Sequence, residues 1–276
     1  MSKSDLVRAG SRRQSKELPC VIAIGGFDPS CGAGVVADAR SIEAMGAMPL
    51  AVATALTVQS GTGVRSSSAV RAALVVAQLD ELVRHLPVRA IKIGQVPSAA
   101  VARALARSLS GAAFPLVLDP VLRATGGGDL ASAAAVAAIS RHLVPLATLL
   151  TVNLREASIL TGRRVTSIAS MERAAGDLAE RGAEAVLVKG GHLKGDPVDV
   201  LLAGGNPIVF RSRRIAASMH GTGCALASAV AARLACGDEL EIAVRRAREH
   251  VRRLLAASQK KWQKTGRSRL RAPEPY

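Results

Sequence analysis

A chain of 276 residues, 49% apolar but only 2% aromatic, can fill one large α/β domain whose core is built from Ala, Val, Leu and Ile. The net charge of +16 is uneven: residues 1–19 carry five Lys/Arg against two acids, and residues 252–276 carry eight against one. Five aromatics in all argue against base-stacking nucleic-acid recognition, and the absence of an apolar signal segment or a membrane-length apolar run argues against export and membrane spanning.

The expected organisation is a basic tail over 1–19, one domain over 20–258 and a second basic tail over 259–276 in a soluble, cytoplasmic protein. Four cysteines without C-x-x-C or zinc spacing fit a reducing compartment. Within the domain, Cys20–Ile24 reads as a buried strand ended by Gly25-Gly26, followed by a helix over Ala33–Ala44 and a strand over Ala51–Leu56. A helix over Ala69–Leu86 carries Leu74, Val75, Leu79, Leu82, Val83 and Leu86 at helical spacing. Strand Val88–Ile93 leads into helix Ala99–Leu109, and strand Pro115–Leu118 into an alanine-rich helix over Ala131–His142. Strands follow at Thr148–Val152 and Ala185–Val188, then a hairpin around Val198–Leu202 and Pro207–Phe210. Helices over Gly223–Ala235 and Glu239–Ala257 end the domain.

This alternation predicts a three-layer α/β/α fold, with a mostly parallel central sheet and helices on both faces. Right-handed crossovers place the carboxyl ends of the parallel strands on one edge. The polar residues that close the strands therefore gather there: Asp28, Gln59, Lys92, Asp119, Asn153 with Glu156, and Lys189. Open α/β sheets bind ligands along that edge.

The sharpest chemical signal is Gly221-Thr222-Gly223-Cys224 running straight into an apolar helix. Unpaired N–H groups and the helix dipole make such a start a cradle for phosphate, and the same dipole lowers the pKa of a thiol placed on it. The segment equally reads as a glycine turn with Cys224 as a small core residue. Gly25 to Gly34 forms a glycine-rich loop able to approach and cover a small ligand, and equally a tight strand-to-helix connection. It is neither a Rossmann fingerprint nor a Walker A loop. Asp119 ends a strand as a carboxylate suited to Mg²⁺ or as a turn residue. Asn153-x-x-Glu156 has the form of a helix capping box, whose acid can still reach a hydrated metal. Lys189 before Gly190-Gly191 is a cation able to neutralise phosphate or a solvated strand end. His192 and His220 read as packed or supporting histidines.

Seven segments, in this order, resemble the hydroxymethylpyrimidine/phosphomethylpyrimidine kinases of the ribokinase-like superfamily. They are I-G-G-F-D-P-S-C-G-A-G-V-V-A-D (24–38), A-L-T-V-Q-S (55–60), K-I-G (92–94), L-D-P-V (118–121), T-V-N-L-R-E-A (151–157), V-L-V-K-G-G-H (186–192) and H-G-T-G-C (220–224). The resemblance implies an enzyme of thiamine biosynthesis that uses ATP and Mg²⁺ to phosphorylate an aminopyrimidine alcohol and then its monophosphate. It implies substrate contacts from Gln59, Gly26, Asp38, Gln95 and Val121. Cys224 would be the catalytic base, with Gly221, Thr222 and Gly223 in the anion hole. Lys189, Asn153 and Asp119 would serve the nucleotide, and Glu156 with Asp119 the metal. A homodimer is implied as well.

Four departures stand out: Cys31 and Gln95 replace a usual glycine and methionine, T-V-N replaces T-P-N, and Leu122-Arg123-Ala124-Thr125 is unusually basic. Gln95 and Arg123 bear on the substrate pocket, not on phosphoryl transfer. Two rival readings are a pyridoxal kinase on the same scaffold and a non-catalytic pyrimidine-phosphate sensor whose tails touch nucleic acid.

Overall fold

The computed structural model describes residues 18–60, 63–123, 128–217, 219 and 221–265, with side chains through residue 259. His220, Ala124, Thr125 and most of both basic tails lie outside the described residues.

Nine strands form one sheet in the order β3-β2-β1-β4-β5-β6-β7-β8-β9. The strands are β1 (Cys20–Phe27), β2 (Met48–Ser60), β3 (Gly63–Ala69), β4 (Val88–Ile93), β5 (Leu116–Leu118), β6 (Leu149–Asn153), β7 (Ala185–Gly190), β8 (Val198–Ala203) and β9 (Ile208–Arg211). From β2 to β7 neighbouring strands run parallel, while β3 at one end and the β8–β9 hairpin at the other are antiparallel.

Period-2 alternation divides the strand residues between two apolar layers. Ile22, Ile24, Ile91, Ile93, Leu118, Val152 and Val188 pack with α2 (Ala72–His85), α3 (Ala99–Leu109), α4 (Ala133–Ala138), α5 (Leu154–Thr161) and α6 (Ile168–Ala179). Val21, Ala23, Ala90, Val117, Leu149 and Leu187 pack with α1 (Gly34–Ala44), α7 (Thr222–Ala235) and α8 (Leu240–Thr265). The expected three-layer architecture is present. With almost no aromatics, closeness comes from small residues: Ala227, Ala229, Ala231 and Ala232 let α7 lie directly on the sheet, all of them fully buried.

Several boundaries differ from the sequence expectation. The strand expected over 51–56 runs from Met48 to Ser60, and the helix expected from Ala69 starts at Ala72, because residues 63–69 form β3. Nothing apolar marks Ser66-Ser67-Ser68 as a strand; pairing to β2 makes it one. The helix expected over 131–142 is α-helical only from Ala133 to Ala138, then widens into a π turn and a 3₁₀ turn holding Pro145, which has no N–H to continue the ladder. Between residues 154 and 184, where the expectation held only the Asn153 cap, lie α5 and α6, both opened by capping boxes. Helix α8 continues to Thr265, past the domain end expected at 258.

Candidate active site

Strand order reverses about β1: the chain steps from β1 to β2 on one side and from β2 across to β4 on the other. A crevice opens at such a switch point, outside the carboxyl ends of the strands. A cavity lies there, walled by Gly25 and Gly26 of β1, by Lys92 and Gln95 at the end of β4, and by Thr57, Gln59 and Val64 of the β2–β3 hairpin. Asp38, Val121, Arg123, Gly221 and Cys224 complete it. Of the implied substrate residues, Gly26, Asp38, Gln59, Gln95 and Val121 all line this one cavity, together with both ends of the Gly221–Cys224 segment.

The loop over the cavity is held by Asp28, which is buried. Its Oδ1 accepts from the N–H of Ser30 (2.8 Å) and the Ser30 hydroxyl (2.7 Å), and its Oδ2 from the Ala33 N–H (2.9 Å) and Gln59 Nε2 (3.2 Å). Cys31, on the same loop, is the one non-glycine among the described residues with positive φ (57°). An L-residue there costs roughly 1–2 kcal/mol, which explains why glycine is the easier choice at this position. Gly221 opens α7 with φ 83°, and a Cβ there would run into the carbonyl oxygen of Gly32. The 28–34 loop and the start of α7 are therefore in backbone contact. Gly221, at the N-cap, has no side chain to cap α7, and among the described residues its first N–H groups are open to a ligand.

Beside this cavity the same alternation that builds the apolar layers places charge. Lys92, Asp119, Thr151 and Lys189 each follow, two residues on, a strand residue that packs against the α1/α7/α8 layer. They therefore point toward α7. Lys189 Nζ donates to Asp119 Oδ1 at 2.6 Å, and Thr151 donates to the same oxygen at 2.7 Å. A Cβ on Gly223 would lie 3.3 Å from Lys189 Nζ, so the ammonium sits at the first turn of α7 with Thr222 and Gly223. Burial pushes the Asp119 carboxyl up, but Lys189 and Lys92 outweigh it and hold it below the usual range. Burial pulls Lys189 down, and Asp119 and Glu156 more than reverse that.

Glu156 is buried and its Oε2 accepts from the Asn153 N–H (2.8 Å). The Asn153 side-chain oxygen is committed to the N–H groups of Arg155 and Glu156, both at 2.9 Å. Asn153 is thus a helix cap, as its spacing allowed. Burial first, opposed by Lys189 and reinforced by Asp119, pushes Glu156 up to about 7.

That shift has a testable sign. An unfolded Glu loses its proton near 4.5, the folded one near 7, so between these values the folded state holds more protons and stability falls as pH rises. Measured by urea unfolding in EDTA, the wild type is expected to lose stability from pH 5 to 7.5 more steeply than Glu156→Gln. The amide keeps the capping box but cannot titrate. Equal slopes would show that this carboxyl ionises at its ordinary pH.

Two sequence expectations need correction. Cys224 is not a thiol acidified by its helix: burial pushes it up to about 12, with Lys92 and Lys189 pulling down and Asp119 and Asp38 pushing up. A single helix dipole is too weak to offset desolvation. His192 is exposed, not packed. The described cysteines are all free thiols, and Arg123 forms an ion pair with Asp129 at 3.1 Å.

The residue that sequence reasoning undervalued is Lys92. It is 1% exposed, and its Nζ donates to Asp38 Oδ2 at 2.7 Å, while Ser228 donates to Asp38 Oδ1 at 2.8 Å. Burial would pull the ammonium down; Asp38, Cys224 and Asp119 together hold it above its ordinary value. A lysine two residues after Ala90, on the same side of the pleat as that buried residue, is the available signal: the alternation itself says that it points inward.

The residues that could hold a divalent cation are Asp119 and Glu156. Both are hard oxygen donors, which suits Mg²⁺ bound by one or two carboxylates and completed by phosphate and water. Among the described residues no three His, Cys, Asp or Glu side chains converge as a protein-only metal cage. Among them also, no helix is long and apolar enough to cross a membrane.

Known proteins resemble this chain in sequence and in fold. The profile of a family described as phosphomethylpyrimidine kinase matches residues 28–268. The hydroxymethylpyrimidine/phosphomethylpyrimidine kinase of Rhizobium meliloti (strain 1021) is 40% identical over 240 residues, covering 86% of this chain and 90% of that one. A crystal structure of phosphomethylpyrimidine kinase from Clostridium difficile 630 superposes with a TM-score of 0.77 at 30% identity, over 86% of this chain and 99% of that one. The pyridoxal kinase of Staphylococcus aureus in complex with pyridoxal superposes with 0.80 at 27%, over 87% and 88%. A phosphate-ready helix start, a lysine–aspartate pair beside it and a small cavity under a glycine loop are thus set in a chain matched along most of its length, which belongs to the phosphomethylpyrimidine kinase family.

Proposed function

We propose that the protein transfers the γ-phosphoryl group of ATP to the hydroxymethyl group of 4-amino-5-hydroxymethyl-2-methylpyrimidine and then phosphorylates the monophosphate again, in thiamine biosynthesis. One observation carries this reading: the cavity and the Lys189–Asp119 pair meet at the uncapped start of α7, so a small alcohol and a phosphate chain can share one boundary. The ring lies in the cavity beneath the 28–34 loop, with Gln59 and Val121 against it. The hydroxyl oxygen bonds to the γ-phosphorus as the bond to ADP breaks, and its proton passes to Sγ of Cys224.

Charge developing on the phosphoryl oxygens meets the N–H groups of residues 222–224 and the Lys189 ammonium, fixed donors that need no reorganisation. Asp119 and Glu156 would hold Mg²⁺, which when bound would neutralise phosphate charge. The apolar side chains of Leu56 and Val58, each 56% exposed on the β2–β3 hairpin, offer a face for a homodimer.

The test is ADP release with Mg-ATP and either the aminopyrimidine alcohol or pyridoxal. A kcat/KM at least about tenfold higher for the aminopyrimidine is expected, equivalent to about 1.4 kcal/mol. Preference for pyridoxal would reassign the substrate. No turnover with either, together with salt-dependent DNA binding, would favour a sensor.

A further inference from the structure

Gln95 presents an unusual wall to the cavity. Its backbone carbonyl is held by the Thr54 hydroxyl at 2.7 Å, and the side chain is only 7% exposed. The side-chain Nε2 donates to Ser67 Oγ (3.1 Å) and to the backbone carbonyl of Leu130 (3.4 Å). These bonds lace the β2–β3 hairpin to the loop after β5, above the cavity. They also fix which way the amide faces. The Leu130 carbonyl can only accept, so the nitrogen must lie on that side. The oxygen is left pointing the other way, and it occupies the place that a Cβ on Gly26 would take. Residue 26 must therefore be glycine for this side chain to fit.

Among the described residues both hydrogen bonds of the carboxamide are donations, so its oxygen is a fixed acceptor on the cavity wall. An acceptor held here favours a ligand that brings an N–H and disfavours one that brings nothing or only lone pairs, as an ionised phenol oxygen does. Arg123 is the cation on the same cavity, its Nε 3.1 Å from Asp129 Oδ1.

We propose that Gln95 is a specificity-determining residue, its side-chain oxygen accepting a hydrogen bond from an amino substituent of the ring, so that the chain selects amino-substituted heteroaromatic alcohols over those carrying hydrogen or an ionised oxygen there. The inference rests on the aminopyrimidine reading and deepens it. A site built around a ligand N–H rejects analogues that lack one far more strongly than an apolar pocket rejects a missing methylene.

The experiment compares three alcohols in wild type and Gln95→Met, a change of similar length that removes the acceptor: the 4-aminopyrimidine, the same ring with hydrogen at position 4, and pyridoxal. In wild type, kcat/KM is expected to favour the amino ring over its 4-hydrogen analogue by at least about tenfold, what one net hydrogen bond of about 1.4 kcal/mol supplies. In Gln95→Met that ratio should collapse toward one, and the amino-to-pyridoxal ratio should fall by a similar factor. Losing the Ser67 and Leu130 bonds could also lower activity overall, but a ratio within one protein is insensitive to that. If wild type uses the amino ring and both ratios survive in Gln95→Met, Gln95 does not read the substituent and the proposal fails alone. A wild type that treats the amino and 4-hydrogen rings within threefold overturns it without any variant. Wild type that phosphorylates none of the three removes the function reading together with it.

Discussion

Replacing Cys224 with Ala is expected to lower kcat with the aminopyrimidine alcohol by about 10²–10⁴-fold while leaving the KM for ATP within a few-fold. The geometry places Cys224 on the cavity wall at the first turn of α7, where a substrate hydroxyl would meet the phosphate cradle. Only a thiolate can take the hydroxyl proton, and burial holds this thiol up to about 12. At neutral pH the reactive form is thus a small fraction, and it grows tenfold with each pH unit below that value. The wild-type kcat should therefore climb through pH 7 to 9, and the residual rate of Cys224→Ala should lose that slope. A loose transition state makes the requirement tolerable, because the nucleophile gives up its proton late. Cys224→Ser should fall almost as far as Ala, since a hydroxyl there keeps a hydrogen bond but is an even weaker acid. If Cys224→Ala keeps more than a tenth of the turnover with its alkaline slope intact, the proton leaves by another route, and the kinase reading stands without this base.

The thiol also shows where a sequence can mislead. Glycines before an apolar helix correctly announced an open helix start, and the structure aims it at the strand ends. What one-dimensional reading omits is desolvation, which depends on what the fold packs around the sulfur. Strand ends were more legible. Lys92, Asp119 and Lys189 each interrupt an apolar alternation at its last step, so their inward direction follows from the pleat alone. Their partners do not follow from it. Asp38 meets Lys92 across 54 residues, and Lys189 meets Asp119 across 70. The β2–β3 hairpin was half legible for a different reason. Its outer strand owes its conformation to pairing with β2, and a serine-rich, exposed segment carries no buried face to announce it.

Lys92→Met is expected to destabilise the protein by about 3–5 kcal/mol at pH 8, on the order of 10 °C in melting temperature, although the methionine fits the volume. The cost comes from what remains. Asp38 is fully buried, and without Lys92 its charge has only the Ser228 hydroxyl to answer it. Burial already raises the Asp38 carboxyl above its ordinary value in spite of Lys92, and removing the ammonium raises it further. A carboxyl whose folded pKa exceeds its unfolded one gives stability that is present at low pH and lost as pH rises through the folded value. The deficit of Lys92→Met against wild type should therefore narrow as pH drops from 8 toward 5. In the double variant Asp38→Asn/Lys92→Met no buried charge is left unpaired, and most of the lost stability should return. Catalysis should not return with it. Lys92 pulls the Cys224 thiol down more strongly than Asp38 pushes it up, so losing both charges leaves the thiolate scarcer even in a well-folded protein. A double variant that recovers both stability and turnover would assign the Lys92–Asp38 pair to the scaffold alone. Recovery of stability without turnover would make the pair part of the reaction's machinery, through the Cys224 thiol or through the cavity that Asp38 also lines.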